Sequence, residues 1–273
     1  MAATKIWFVA PLIAGLMSAA GVAQPDSRTV AAFDKYVAQA ELQIARRHAT
    51  AAKFLSVQSL GGAQQDVTWS RLRRGEIVIE KAGDSPREVT GGLIHDWVGT
   101  VFIAGVNIEQ VLATVEDHDH FARYYAPEVM DARIVSLKGD DRHVFMRLRE
   151  HKVITVVLDT EYDIHYGRID FAHQYADSRS TRVTEVVDSG AAKELPPREG
   201  RDHGFMWRLN SYWTFEQTPE GVFVECEAIS LSRAIPVGLE WLIGPFVQNI
   251  PRESLQFTLT KTRDAVLKKA GRN

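Results

Sequence analysis

The residues best suited to acid–base chemistry are Glu225 and Glu227, in the run GVFVECEAISLS (221–232). Its Val, Phe and Ile content marks a strand, and side chains two apart on a strand share a face. A carboxylate buried in a cavity has a raised pKa and can serve as acid, base or polar anchor, and Glu227 is the candidate for that place. Register decides the matter, because Val222, Val224, Cys226 and Ala228 make an equally good inward face and one residue of slip exchanges the two sets. A second polar cluster is Glu116, Asp117, His118, Asp119 and His120. Carboxylates and imidazoles can bind zinc. Residues two apart on a helix do not face each other, however, and acidic turns between helices are common, so a solvated turn is expected and no metal site. The sole cysteine, Cys226, allows no intramolecular disulfide and is expected to be a buried, inert thiol. The sequence contains no G-x-S-x-G, H-E-x-x-H, P-loop or C-x-x-C signature, so no cofactor is expected.

Aromatic side chains concentrate in 205–215, where Phe205, Trp207, Leu209, Trp213 and Phe215 alternate onto one face. Such a stripe packs a core or lines an apolar ligand cavity. The elements that must position it can be read from periodicity. Residues 27–55 read as a helix with Val30, Phe33, Val37, Ala40 and Ile44 on one side, broken by Gly61 and Gly62. EIVIE (76–80) reads as a short strand, 83–88 as a connector and 92–105 as a longer strand. Asn107 with Gln110 forms a capping box opening a helix, and FARYY is a short helix stopped by Pro127. Strands follow at 129–138, 142–150, 152–164, 166–176, 179–188, 204–216 and 222–233, and the breaks between them, apart from the long 189–203, are short enough to imply hairpins and an antiparallel meander. In 152–164 Tyr162 belongs to the apolar face and Asp159, Glu161 and Asp163 to the wet one. The proline- and glycine-bearing segment 189–203 is a candidate lid. Segment 239–250, carrying Leu242 and Phe246, reads as a short helix kinked at Gly244 and Pro245. A long helix then begins at Pro251, with Leu255, Leu259, Thr262 and Val266 in one stripe.

Bulk composition is that of a globular protein: 273 residues, 45% hydrophobic, 25% charged, net charge −3. No basic field invites nucleic acid. Lys5, an apolar run from Ile6 to Met17 and the small-residue stretch SAAGVAQ have the order of a cleaved secretory signal over residues 1–23. Export to the periplasm or medium is expected, starting at Gly21 or Gln24; the alternative is an uncleaved inner-membrane anchor.

The order of strand, two small helices, antiparallel strands and one long last helix, together with GGLIHDWVGTVFIAG, VITVVLDTEYD, DHGFMWRLNSYWTFE and VECEAISLSRAIP, resembles the START/Bet v 1-like (SRPBCC, polyketide cyclase-like) superfamily. The resemblance covers about residues 91–270 and implies an α+β helix-grip fold, a curved sheet wrapped around the C-terminal helix, as a domain spanning 91–273. It implies a hydrophobic pocket for a lipid, sterol or polyketide-like ligand, with Tyr162, Trp207, Leu209, Trp213, Glu227, Leu242, Phe246, Leu255 and Leu259 as lining residues. Transient membrane contact is compatible with such a carrier. A cyclase- or hydrolase-like enzyme using a cavity carboxylate, and a cell-envelope interaction module without a small ligand, are the alternatives. Residues 24–90 form an N-terminal extension outside the resemblance, and loss of residues 1–85 is expected to be tolerated better than loss of 251–273.

Overall fold

A computed structural model describes residues 24–151, 155–186, 206–235 and 240–271. The expected signal segment 1–23, the candidate lid 189–203 and Phe205 lie outside the described residues.

The chain opens with helix α1 (Ser27–His48), capped by Asp26, whose carboxylate accepts from the N–H groups of Arg28 and Thr29. Phe33, Val37 and Ile44 are buried, as their spacing requires. The helix stops seven residues before the expected 55. Two 3-10 turns follow, Ala51–Lys53 and Ser56–Ser59, with Thr50 and Leu55 extended, and this reversal buries both Phe54 and Leu55. Helix α2 (Gly62–Arg73) starts where the glycine pair predicts only a break; its apolar residues are too few to show a stripe. Strands β1 (Val78–Lys81) and β2 (Arg87–Val89) both pair with β3 (Gly92–Ala104), so the segment read as a connector contributes an edge. Helices α3 (Ile108–Val115) and α4 (Phe121–Tyr124) come next, with the capping box of Asn107 and Gln110 formed.

The remaining strands are β4 (Val129–Lys138), β5 (Asp141–His151), β6 (Thr155–Arg168), β7 (His173–Glu185), β8 (Arg208–Thr218) and β9 (Gly221–Arg233). The expected turns at Gly167 and Asp177 are absent, so three expected strands are two long ones. Gly167 lies inside β6 because the Tyr175 ring of β7 crosses it; a Cβ there would sit 2.1 Å from that ring. The reversal is made instead by Asp170, whose carboxylate accepts from the N–H groups of Ala172 and His173. All pairings are antiparallel, in the order β1-β3-β9-β8-β7-β6-β5-β4, with β2 also on β3.

Helix α5 runs unbroken from Glu240 to Lys269. Neither Gly244 and Pro245 nor Pro251 divides it, contrary to expectation. A proline in a helix interior costs about 3 kcal/mol. The buried stripe of Leu255, Leu259, Thr262 and Val266 farther along anchors the helix against that cost.

This stripe lies on the concave face of the sheet. Gly99 of β3 makes the approach feasible, because a Cβ there would sit 2.5 Å from Leu259 and 3.1 Å from Leu255. The described residues thus form an α+β helix-grip fold, with the sheet closed over its last helix. The convex face is covered at β3, β9 and β8 by α1, the 3-10 turns and α2. Strand β3 is therefore buried on both sides, which explains its near-continuous apolar sequence.

Candidate functional site

Pairing register assigns each central side chain to a face. Trp97, Gly99, Val101 and Ile103 of β3 stand opposite Ala228, Cys226, Val224 and Val222 of β9, and Leu209, Ser211, Trp213 and Phe215 of β8 continue the row. These are the concave residues, joined by Tyr162 and Ile164 of β6, Ala176 of β7 and the α5 stripe. Tyr162, Leu209, Trp213, Leu255 and Leu259 are therefore brought together as the sequence expects. Trp213 and Phe215 stack nearly parallel, with ring centroids 6.3 Å apart. Phe215 is fully buried, whereas Leu209, Ser211 and Trp213 remain half-buried, so the wall is accessible along this part of β8.

Polar groups are sparse on this face and are not all paired. His95 is 2% exposed, with Nε2 3.5 Å from the Ser232 hydroxyl and Nδ1 without a partner among the described residues. Burial lowers its pKa to about 4, so the imidazole is neutral at physiological pH and presents one donor and one acceptor. The indole Nε1 of buried Trp97 also lacks a partner among the described residues. Tyr125 and Thr262 bond through their hydroxyls at 2.9 Å and fasten α5 from below. Cys226 is buried here, and desolvation pushes its thiol well above the usual range, leaving it inert.

Two expected wall residues stand elsewhere. Glu227, with Glu225, is on the convex face, opposite Val98 and Thr100 of β3. The small apolar set around Cys226 takes the concave side, where the leucines of α5 pack. Under α1, Glu227 accepts from Arg47 at 3.0 Å. Glu225 accepts from the N–H and hydroxyl of Ser56 and from Thr100, and lies 3.7 Å from Arg47. Burial raises the Glu225 pKa, and Arg47 opposes that rise. A concave cavity carboxylate at Glu227 is thus excluded. Trp207 also leaves the stripe. Its N–H donates to the carbonyl of Leu231, which already pairs with Arg208, so alternation slips at the strand's start. Its indole packs with Phe33, Val37 and Ile94 beneath α1. Leu242 and Phe246 fall on α5, but their side chains lie outside the described residues.

The cluster at 116–120 is not simply a solvated turn. His118 is 2% exposed, its Nδ1 3.0 Å from the Glu116 carbonyl, and burial lowers its pKa to about 4. Asp117 gathers Tyr124, His120 and Lys269 and is held at about 2.

His95 and Trp97 were not singled out by sequence reasoning. The available signal was polar atoms inside a strand otherwise apolar enough to be buried on both faces.

No family model matches this chain, and no curated protein matches it in sequence. Solved structures similar to it include a STAR-related lipid transfer protein from Xanthomonas axonopodis, at 17% identity over 69% of this chain and 98% of that one, with a TM-score of 0.46. A START superfamily protein from Mycobacterium smegmatis is similar at 15% identity over 64% and 98% of the two chains, TM-score 0.44. The Zhui aromatase/cyclase from Streptomyces sp. R1128 is similar at 13% identity over 65% and 94%, TM-score 0.43. The helix-grip arrangement itself rests on this chain's own register, in which β3, β9 and β8 turn one continuous apolar face toward α5.

Proposed function

We propose that the concave face binds a hydrophobic small molecule between the sheet and α5, and that the protein acts as an exported carrier or binding protein for it. The observation that carries this reading is the half-buried apolar wall of Leu209 and Trp213, set on the same face as nitrogens of His95 and Trp97 that have no partner among the described residues. An apolar surface with few, fixed polar groups orients an apolar ligand bearing one or two oxygens. Export is supported by the order of charge, apolar run and small residues in 1–23.

The test is organic extraction of purified protein, followed by titration of the delipidated chain with fatty acids, sterols and polyketide-like compounds. A panel member should bind at about micromolar Kd, roughly 8 kcal/mol. Trp213→Ala should weaken it about tenfold or more, because an aromatic contact and its buried area are lost together. Failure of every panel member to bind would overturn the carrier reading. Intact mass of periplasmic protein should show a chain beginning at Gly21 or Gln24, and a retained Met1 would overturn export.

A further inference from the structure

The cover on the convex face is joined to the sheet in two ways. Apolar clusters hold its flanks: Phe33, Val37 and Ile44 of α1 pack with Ile94, Ile229 and Leu231, and Leu55, Val57 and Leu72 pack with Val78, Phe102 and Phe223. None of these residues belongs to the concave core around α5, so α1 can leave the sheet with that core intact, as a local opening. Between the clusters the cover spans a cavity of about 560 Å³, and there a polar centre joins the two layers. Tyr36 donates to Asp96 Oδ2 at 2.9 Å and Arg47 to Glu227 at 3.0 Å, with Glu225 3.7 Å from Arg47.

Three buried carboxylates thus share one guanidinium. Asp96 is 2% exposed, Glu227 5% and Glu225 1%. The other charged groups around Asp96 stand at the exposed rim: Glu80 and Lys81 of β1, Asp84, and Arg87 of β2, whose guanidinium lies 5.9 Å from the centre of the Tyr36 ring. Among the described residues, neither Lys81 nor Arg87 forms an ion pair with the three carboxylates. Glu41, farther along α1, is engaged with Arg179 and Tyr212. Asp96 Oδ1 is buried and has no partner among the described residues. An ionised Asp96 would leave a charged oxygen there with no donor, so the carboxyl keeps its proton. Burial first, and then the charge of Glu227, raise its pKa to about 8. Burial and the charge of Asp96 push the Tyr36 hydroxyl well above its usual range, so it stays a donor throughout.

We infer that α1 is a proton-held cover: with Asp96 neutral it lies on the sheet, and when that proton leaves, it shifts toward a lifted state that bares Ile94, Ile229 and Leu231. Lifting brings water to the new charge, which the closed arrangement withholds. A folded value above the unfolded one makes the hold complete below about pH 4 and lost as pH rises through about 8. The device does not depend on the hydrophobic ligand, whose site lies across β3 and β9.

The experiment is hydrogen–deuterium exchange of the full chain, followed by mass spectrometry at about pH 6 and about pH 9 and corrected for the intrinsic rate at each. Protection of the α1 amides should fall about tenfold between the two, while α5 from Leu255 to Val266 keeps its protection. In Asp96→Asn, uncharged at either pH, the protection of α1 should not change. Retained α1 protection in the wild type, an equal loss in α5, or an equal loss in the folded Asn variant would each overturn the inference. Should Asp96→Asn fail to fold, Tyr36→Phe removes a donor that favours the charged form, and the loss of α1 protection should move to higher pH. An unmoved or lowered midpoint in that variant would overturn the inference as well.

Discussion

The two faces of one strand pair, β3 and β9, are both buried, but only one of them carries buried charge. On the concave side Gly99, Val101, Val224 and Cys226 meet the leucines of α5, and the helix is held by area and fit. On the convex side apolar clusters flank a polar centre, where Asp96, Thr100, Glu225 and Glu227 meet Arg47, Tyr36 and Ser56 through hydrogen bonds and one guanidinium. Apolar burial is tolerant, because each contact is weak and many share the work. Buried charge is unforgiving, since removing one partner leaves the others unsatisfied.

The sharpest way to separate the faces is Arg47→Met. It leaves Glu225 and Glu227 without their cation and should cost about 3–5 kcal/mol in urea denaturation near pH 8. The loss should shrink in acid, because protonated carboxylates need no cation. A loss independent of pH would show that Arg47 acts through packing alone. Leu259→Ala tests the concave side and should cost about 3 kcal/mol through transfer and cavity terms, with little dependence on pH. An unchanged melting temperature would mean that α5 is peripheral to the core.

Asp96→Asn probes the convex floor by pH. Burial first, and then the charge of Glu227, raise the Asp96 pKa to about 8, against the partial opposition of Tyr36 and Arg47. The folded value exceeds the unfolded one, so the group's contribution is fully present below about pH 4 and is lost as pH rises through about 8. Wild type should therefore lose stability relative to the Asn variant over that window, by about 1.4 kcal/mol for each pH unit by which the folded value exceeds the unfolded one. Parallel curves would show that Asp96 titrates normally. The smallest effect should come from Asp26→Ala, which removes the α1 cap and costs about 1 kcal/mol. Chemical denaturation resolves that difference, and a null result would mean that α1 is held only by its docking.

Much of the concave half is legible in the sequence. The α5 stripe from Leu255 to Val266 and the alternation in β6 are periodic signals that tertiary packing reinforces. Strand turns are less so, because Gly167 answers to a cross-strand ring while Asp170 makes the reversal. Of the expected ligand wall, Tyr162, Leu209, Trp213, Leu255 and Leu259 share one face, whereas Glu227 and Trp207 do not. Glu227 was ambiguous because strand periodicity marks two faces without saying which is inner. Trp207 was misplaced by a slip at the strand's first residue that no alternating pattern records. The convex chemistry was hidden for a different reason. Arg47, Tyr36 and Asp96 meet only in three dimensions, and nothing in the helical stripe of α1 announces that its polar residues also face inward.

The bond between Arg47 and Glu227 joins residues 180 positions apart. The entropic cost of closing a loop grows only slowly with its span, but it must be met before the contact forms, and chains dominated by such distant contacts fold slowly. Both ends of this chain converge on the same two strands, α1 from one side and α5 from the other. Synthesis delivers α1 and β3 early and β9 nearly last, so α1 has only part of its docking face, Ile94 and Asp96 of β3, until almost the whole chain exists. Until then its apolar stripe and the strand edges of the growing meander stay open to other chains. A slow final docking phase, sensitive to protein concentration and dependent on Arg47, is the kinetic signature of that topology.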